Sequence, residues 1–138
     1  MDTYRLETVL ANATGQVTVP FGNAAIATRD TMLAHESCEE LWTPASPHLQ
    51  MSLAGVEIIG NGSGSYHQLR KLNVRVDYII SATQKCGGVY LYANQQGCDG
   101  GRLYYDGCAL IACNGEILAQ ASQFSVKDVE VISATISL

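Results

Sequence analysis

Val56-Glu57-Ile58-Ile59-Gly60-Asn61-Gly62-Ser63-Gly64-Ser65 is a short apolar run that breaks into a glycine-rich turn. The apolar character of the run suits a strand in a covered, parallel sheet. Downstream, Leu69, Leu72, Val76, Ile79 and Thr83 recur at alternating spacings of three and four. That period predicts a helix, with Gln68, Arg70, Lys71, Arg75 and Lys85 mostly on its other faces. Cys86-Gly87-Gly88 closes the helix with glycine in the expected place. Val89-Tyr90-Leu91-Tyr92-Ala93 reads as the next strand. Strand, helix and strand make a βαβ unit, so the fold class is α/β with a sheet that is at least partly parallel.

Upstream of this unit, Thr31 to Glu36 reads as a strand that delivers Ser37-Cys38-Glu39-Glu40-Leu41-Trp42-Thr43-Pro44. A thiol at the end of a buried strand, where the chain turns sharply, can face a pocket while the sheet holds its backbone. The neighbouring N–H groups are then free to bind an oxyanion, as covalent amide cleavage by cysteine requires. The alternative is a buried, inert cysteine beside a solvated acidic turn. Earlier still, residues 1–17 are weakly patterned; Tyr4, Leu6, Val9 and Leu10 could line a short helix ended by Ala13-Thr14-Gly15. Val17 to Val19 stops at Pro20, and Ala24 to Thr28 is a small-residue strand. Between the cysteine and the βαβ unit, His48 to Leu53 is predicted as one or two helical turns.

Downstream, Gln95 to Arg102 is a polar, glycine-rich loop. Asp106-Gly107 is a turn signal between Leu103-Tyr104-Tyr105 and Cys108-Ala109-Leu110-Ile111-Ala112, so Tyr104-Tyr105-Asp106-Gly107 reads as a hairpin end. Asn114-Gly115 joins that strand to Ile117-Leu118-Ala119-Gln120 as a two-residue hairpin. Val129 to Ile136 has the period of a last strand.

The chain has 138 residues, enough for one domain with a real core, and 47% are hydrophobic. Only 15% are charged, which suggests a surface covered by another segment or subunit. A net charge of −5 gives no reason to expect nucleic acid as a partner. The five cysteines are odd in number and match no zinc spacing, so no metal site is expected. A reduced, cytoplasmic protein is the simplest expectation. Asn12-Ala13-Thr14 and Asn61-Gly62-Ser63 are formal glycosylation sequons, discounted because no signal peptide stands before them. No apolar run is long enough to cross a membrane.

The turn at Gly60–Ser65 invites a dinucleotide reading, since it follows a strand and precedes a helix. The third fingerprint glycine is Ser65, however, and Val89–Asn94 carries no acidic residue. A turn that shapes a pocket wall fits better. Of the three histidines, His35 falls on the opposite strand face from Cys38. His48 is expected at an exposed helix start, and Arg75 and Asp77 are expected to brace each other or a loop.

Several motifs stand in order. They are Thr18-Val19-Pro20-Phe21-Gly22, Cys38–Pro44, Ser46-Pro47-His48, Asn61–Ser65, Leu69-Arg70-Lys71, Tyr90–Asn94, Gly97-Cys98-Asp99-Gly100, Arg102–Gly107 and Ser122-Gln123-Phe124-Ser125. From about Thr18 to the end, the chain resembles the glutaminase domain of eukaryotic glutamine-dependent NAD synthetases. That domain is a branch of the nitrilase, or carbon–nitrogen hydrolase, superfamily. The resemblance implies a partial nitrilase-type αββα sandwich with a mixed sheet, residues 18–138 being the C-terminal half of the domain. It implies glutamine hydrolysis through a Glu-Lys-Cys triad, with ammonia passed to a synthetase domain that uses ATP and deamido-NAD; this segment itself is expected to bind no cofactor.

Carried over residue by residue, Cys38 matches the nucleophile and the backbone N–H of Glu39 an oxyanion contact. The Glu39 side chain matches the position that binds the substrate's α-amino group, Ser65 a second substrate contact, and Trp42 the pocket lining. The departure is that the family's glutamate base and lysine precede the cysteine, whereas residues 1–37 contain no lysine. Glu7 and Glu36 do not sit in the motif of the base, and Lys71, Lys85 and Lys127 match other positions. The resemblance therefore implies a fragment inactive alone, partnered by the missing segments or by further copies of itself. A non-catalytic binding remnant and another nitrilase-type amidase are the competing expectations.

Overall fold

Among the described residues six strands share one sheet, and the βαβ unit lies at its middle. The computed structural model describes residues 1–137. In chain order the elements are β1 (Asp2–Arg5), α1 (Thr8–Thr14), β2 (Thr18–Phe21), β3 (Ile26–Ala27) and β4 (Met32–Ser37). A 3-10 turn over Cys38–Trp42 leads to α2 (Pro47–Leu53), β5 (Ile58–Ser63) and α3 (Lys71–Cys86). Then come β6 (Val89–Asn94), β7 (Gln96–Cys98), β8 (Tyr104–Asp106), β9 (Leu110–Cys113) and β10 (Glu116–Gln120).

The main sheet runs β10-β9-β6-β5-β4-β3. β4, β5 and β6 are parallel, while β3, β9 and β10 attach antiparallel, so the sheet is mixed as expected. The Asn114-Gly115 hairpin forms between β9 and β10. Alternation along the strands sends Ile59, Tyr90, Tyr92, Leu110 and Ala112 into one core, where they meet Ile79 and Ala82 of α3 and Leu41 of the 3-10 turn. That core lies between the sheet and its helices. Elsewhere apolar side chains stay exposed, among them Leu91 on β6 and Ile117 and Leu118 on β10. Gly88 sits where β6 passes close to β5: its φ is +78°, and a Cβ there would lie 2.4 Å from the Glu57 carbonyl oxygen.

Several expectations need correction. α3 begins at Lys71, because Arg70 turns through a left-handed φ of 66°; Leu69 stays outside the helix and is 91% exposed. The buried face of α3 carries Arg75, contrary to the outer face that the helix period suggests for it. Arg75 pairs with Asp106, not with Asp77. The hairpin around Asp106-Gly107 does not form: β8 folds back on β7, which lies inside the stretch read as a loop. Asp106 is thereby buried. Residues 129–136 form no strand; their burial alternates, but no sheet edge pairs with them. At the start, Tyr4 lies in β1, paired with β2, and the short helix is confined to Thr8–Thr14, with Gly15 as its left-handed cap. The strand read over residues 24–28 shrinks to Ile26–Ala27.

Candidate active site

Cys38 stands where β4 ends and the 3-10 turn begins. Its φ is +43°, a conformation that few non-glycine residues adopt and that surrounding structure has to hold. Two hydrogen bonds hold it. The Ser37 N–H donates to Glu40 Oε2 at 2.6 Å, the back-reaching half of a capping box. The Cys38 N–H donates to Asn61 Oδ1 at 3.0 Å. Parallel register sets Glu36 beside Asn61 and Ser37 beside Gly62, so β5 presents Asn61 under the turn.

A cavity of about 750 Å³ opens beside the thiol, within the range of roughly 300–1,000 Å³ typical of small-ligand pockets. Cys38, Glu39 and Trp42 line one side; Gly64, Ser65 and Tyr66 line another; Lys71 and Val74 close it from α3. Trp42 is fixed edge-on against Tyr78 at 5.1 Å between ring centroids. The Lys71 ammonium lies 4.1 Å over the Tyr66 ring and donates to the Tyr66 carbonyl at 3.2 Å. Partial burial and then the nearby Arg75 charge lower the Lys71 pKa, against the opposing pull of Asp106, Cys38 and Glu39. Glu39 and Lys71 thus place opposite charges around one pocket.

The Ser65 side of the pocket is built from below. Asn94 clamps the Ser65 backbone, accepting its N–H at 2.8 Å and donating to its carbonyl at 3.0 Å. The same Asn94 amide donates to Asp106 Oδ1 at 3.1 Å. Asp106 accepts two bonds from Arg75, at 3.2 and 3.3 Å, and one from Gln123 at 2.9 Å. Burial alone would raise the Asp106 pKa; the bonds from Gln123 and Arg75 outweigh it and hold the carboxyl below its usual range. The Ser65 hydroxyl is buried and has no hydrogen-bond partner among the described residues.

Beneath Cys38 lies a second buried group. Glu36, 1% exposed, accepts the His48 backbone N–H at 2.9 Å and the His48 Nδ1–H at 3.1 Å. Tyr90 also donates its hydroxyl to Glu36, and Asn61 Nδ2 donates to the Tyr90 oxygen at 2.9 Å. Burial pushes Glu36 up, but the bonds from His48 and Tyr90 prevail and keep it below the usual carboxylate range.

The four residues singled out in the sequence, Cys38, Glu39, Trp42 and Ser65, all line this one cavity. His48, expected to be exposed at a helix start, is instead only 7% accessible, because Glu36 draws both its N–H groups inward. The sequence reading sets Glu36 and Lys71 aside, and it does not single out Asn61 or Tyr90. Alternation could have found Asn61: Ile59, Asn61 and Ser63 are the inward residues of β5, although Gly60 to Ser65 reads locally as a turn.

A strand-end cysteine over a mixed, helix-backed sheet defines the class. Residues 4–138 match the family described as Carbon-nitrogen hydrolase, and the chain belongs to that family. Similar proteins include glutamine-dependent NAD(+) synthetases. The one from Saccharomyces cerevisiae is 65% identical over 129 residues, which is 94% of this chain and 18% of the relative. The human one is 59% identical over 135 residues, 98% of this chain and 19% of the relative. The crystal structure of a glutamine-dependent NAD(+) synthetase from Cytophaga hutchinsonii superimposes with a TM-score of 0.73 at 30% identity, over 86% of this chain and 19% of that one. The chain therefore spans about one fifth of the length of the relatives it matches.

Proposed function

We propose that this chain carries the nucleophile side of a glutamine-hydrolysing site that supplies ammonia for NAD synthesis. Cys38 Sγ attacks the side-chain amide carbon of glutamine. The C–N bond breaks, nitrogen leaves as ammonia after taking up the thiol proton, and a glutamyl thioester remains. Water then cleaves the thioester to give glutamate and the free thiol. The backbone N–H of Glu39 helps hold the oxyanion. A free amino acid is a zwitterion, and the pocket meets it with the Glu39 carboxylate for the α-ammonium and the Lys71 ammonium for the α-carboxylate. Trp42 packs along the aliphatic part, and the unpartnered Ser65 hydroxyl offers a further polar contact.

The observation that carries this reading is the convergence of Cys38, Glu39, Trp42, Ser65 and Lys71 on one cavity from three separate segments. The test is ammonia release from glutamine, with and without the other segments of a glutamine-dependent NAD(+) synthetase supplied in trans. Release that needs those segments and disappears in Cys38→Ala supports it; release that survives Cys38→Ala overturns it. A second reading, a wall that binds glutamine without turnover, is favoured by one observation: Lys71, the lysine in the cavity lining, donates to the Tyr66 carbonyl rather than to the thiol. Saturable glutamine binding with no ammonia under either condition supports that alternative.

A further inference from the structure

We infer that Asn61 is a positioning residue for Cys38, oriented by a one-way hydrogen-bond relay that ends on the buried carboxylate of Glu36. The inference rests on the reading of Cys38 as the nucleophile. An ionised carboxylate only accepts hydrogen bonds. Glu36 therefore accepts a hydrogen bond from the Tyr90 O–H, and the Tyr90 oxygen is left as an acceptor. An acceptor calls for the amide nitrogen of Asn61, which donates to it at 2.9 Å. With Nδ2 turned down, Oδ1 must face up. There it accepts the Cys38 N–H at 3.0 Å and the Ser63 hydroxyl at 2.8 Å. The flip state of one amide, set two bonds away by a buried charge, thus decides whether the Cys38 N–H meets an oxygen or an NH₂.

That choice matters because Cys38 holds a φ of +43°. The backbone has an easier conformation available, and only its fixed partners prevent it from relaxing. Relaxation would rotate Cα–Cβ and swing the thiol away from its present aim into the pocket. Every member of the relay is buried: Asn61 is 2% exposed, Glu36 1% and Tyr90 1%. Water therefore cannot readily replace a lost partner. None of Glu36, Tyr90 or Asn61 lines the cavity, so their effect on the thiol runs through the Cys38 backbone.

The test is site-resolved labelling of the whole chain, read by peptide mass spectrometry. A chloroketone analogue of glutamine reports both affinity and reactivity at Cys38; iodoacetamide reports reactivity alone. The exposed Cys98 is the internal reference. Asn61→Ala is expected to slow Cys38 labelling about tenfold, the scale of one lost positioning bond, with half-saturating chloroketone within about twofold of wild type. Tyr90→Phe frees the amide to flip and is expected to slow Cys38 by about threefold or more, with Cys98 unchanged. If Asn61→Ala does not fold, Tyr90→Phe decides alone. Wild-type labelling of Cys38 in Tyr90→Phe, or a loss shared equally by Cys98, overturns the inference. If the chloroketone fails to saturate even the wild type, the glutamine reading falls, and the iodoacetamide ratio of Cys38 to Cys98 still judges the relay.

Discussion

Replacing Arg75 with Met removes the cation from the most buried ion pair near the pocket while keeping much of its packing. Arg75 is 1% exposed and Asp106 2%, so the change strands a carboxylate away from water. Breaking such a pair from one side costs roughly 3–5 kcal/mol. Here the Asn94 and Gln123 amides still donate to the charge, which puts the expected loss near the lower end, about 3 kcal/mol. For a domain of this size each kcal/mol moves Tm by about 4 °C, so Tm should fall by about 12 °C. Urea unfolding followed through Trp42, the only tryptophan, measures the loss. Its pH dependence carries the signature. Asp106 is held below its usual range in the wild type, so its stabilisation is present above the unfolded carboxylate pKa and is lost as pH falls through the folded one. In Arg75→Met the unpaired carboxylate is relieved by protonation instead. The gap between the two proteins should therefore narrow below about pH 5. Adding Asp106→Asn should recover part of the loss, since no buried charge then lacks a partner. A loss under about 1 kcal/mol, or a gap unchanged by acid, would refute the reasoning.

Three further outcomes follow from the same structure. Glu36 and Asp106 are both depressed, so wild-type stability should decline as pH drops below about 4; an unfolding midpoint constant from pH 7 to about pH 3 would count against both assignments. Gly88→Ala should destabilise by about 2 kcal/mol or more, because it combines a positive φ with a Cβ 2.4 Å from the Glu57 oxygen; chemical denaturation reads it. The chain alone should self-associate through apolar side chains such as Leu91, Ile117 and Leu118, and a monodisperse monomer in sedimentation would contradict that.

What the sequence disclosed was local. The helix period, the glycines after Cys86 and the β-rich runs located α3, β5 and β6, and the strand-end position of Cys38 followed from them. The site residues Cys38, Glu39, Trp42 and Ser65 were named from motif order and meet in one cavity. Contacts made at long range were not legible. Arg75 reads as an outer-face residue braced by Asp77 or a loop, because its actual partner, Asp106, lies 31 residues away and is delivered by the β7–β8 fold-back. His48 looked exposed because nothing local announces that Glu36 caps it. Residues 129–136 alternate like a strand, but alternation supplies no neighbour to pair with.

The proposed function requires the Cys38 thiol to face a pocket that accepts glutamine. Its most direct measurement is protection: treat the chain with a chloroketone analogue of glutamine, alone and with excess glutamine, and map the adduct. The expected result is an adduct on Cys38 that glutamine suppresses and that glutamate or simple amides suppress far less. An adduct distributed over Cys86, Cys98 and Cys113 as readily as over Cys38, or one on Cys38 that glutamine leaves untouched, would contradict it.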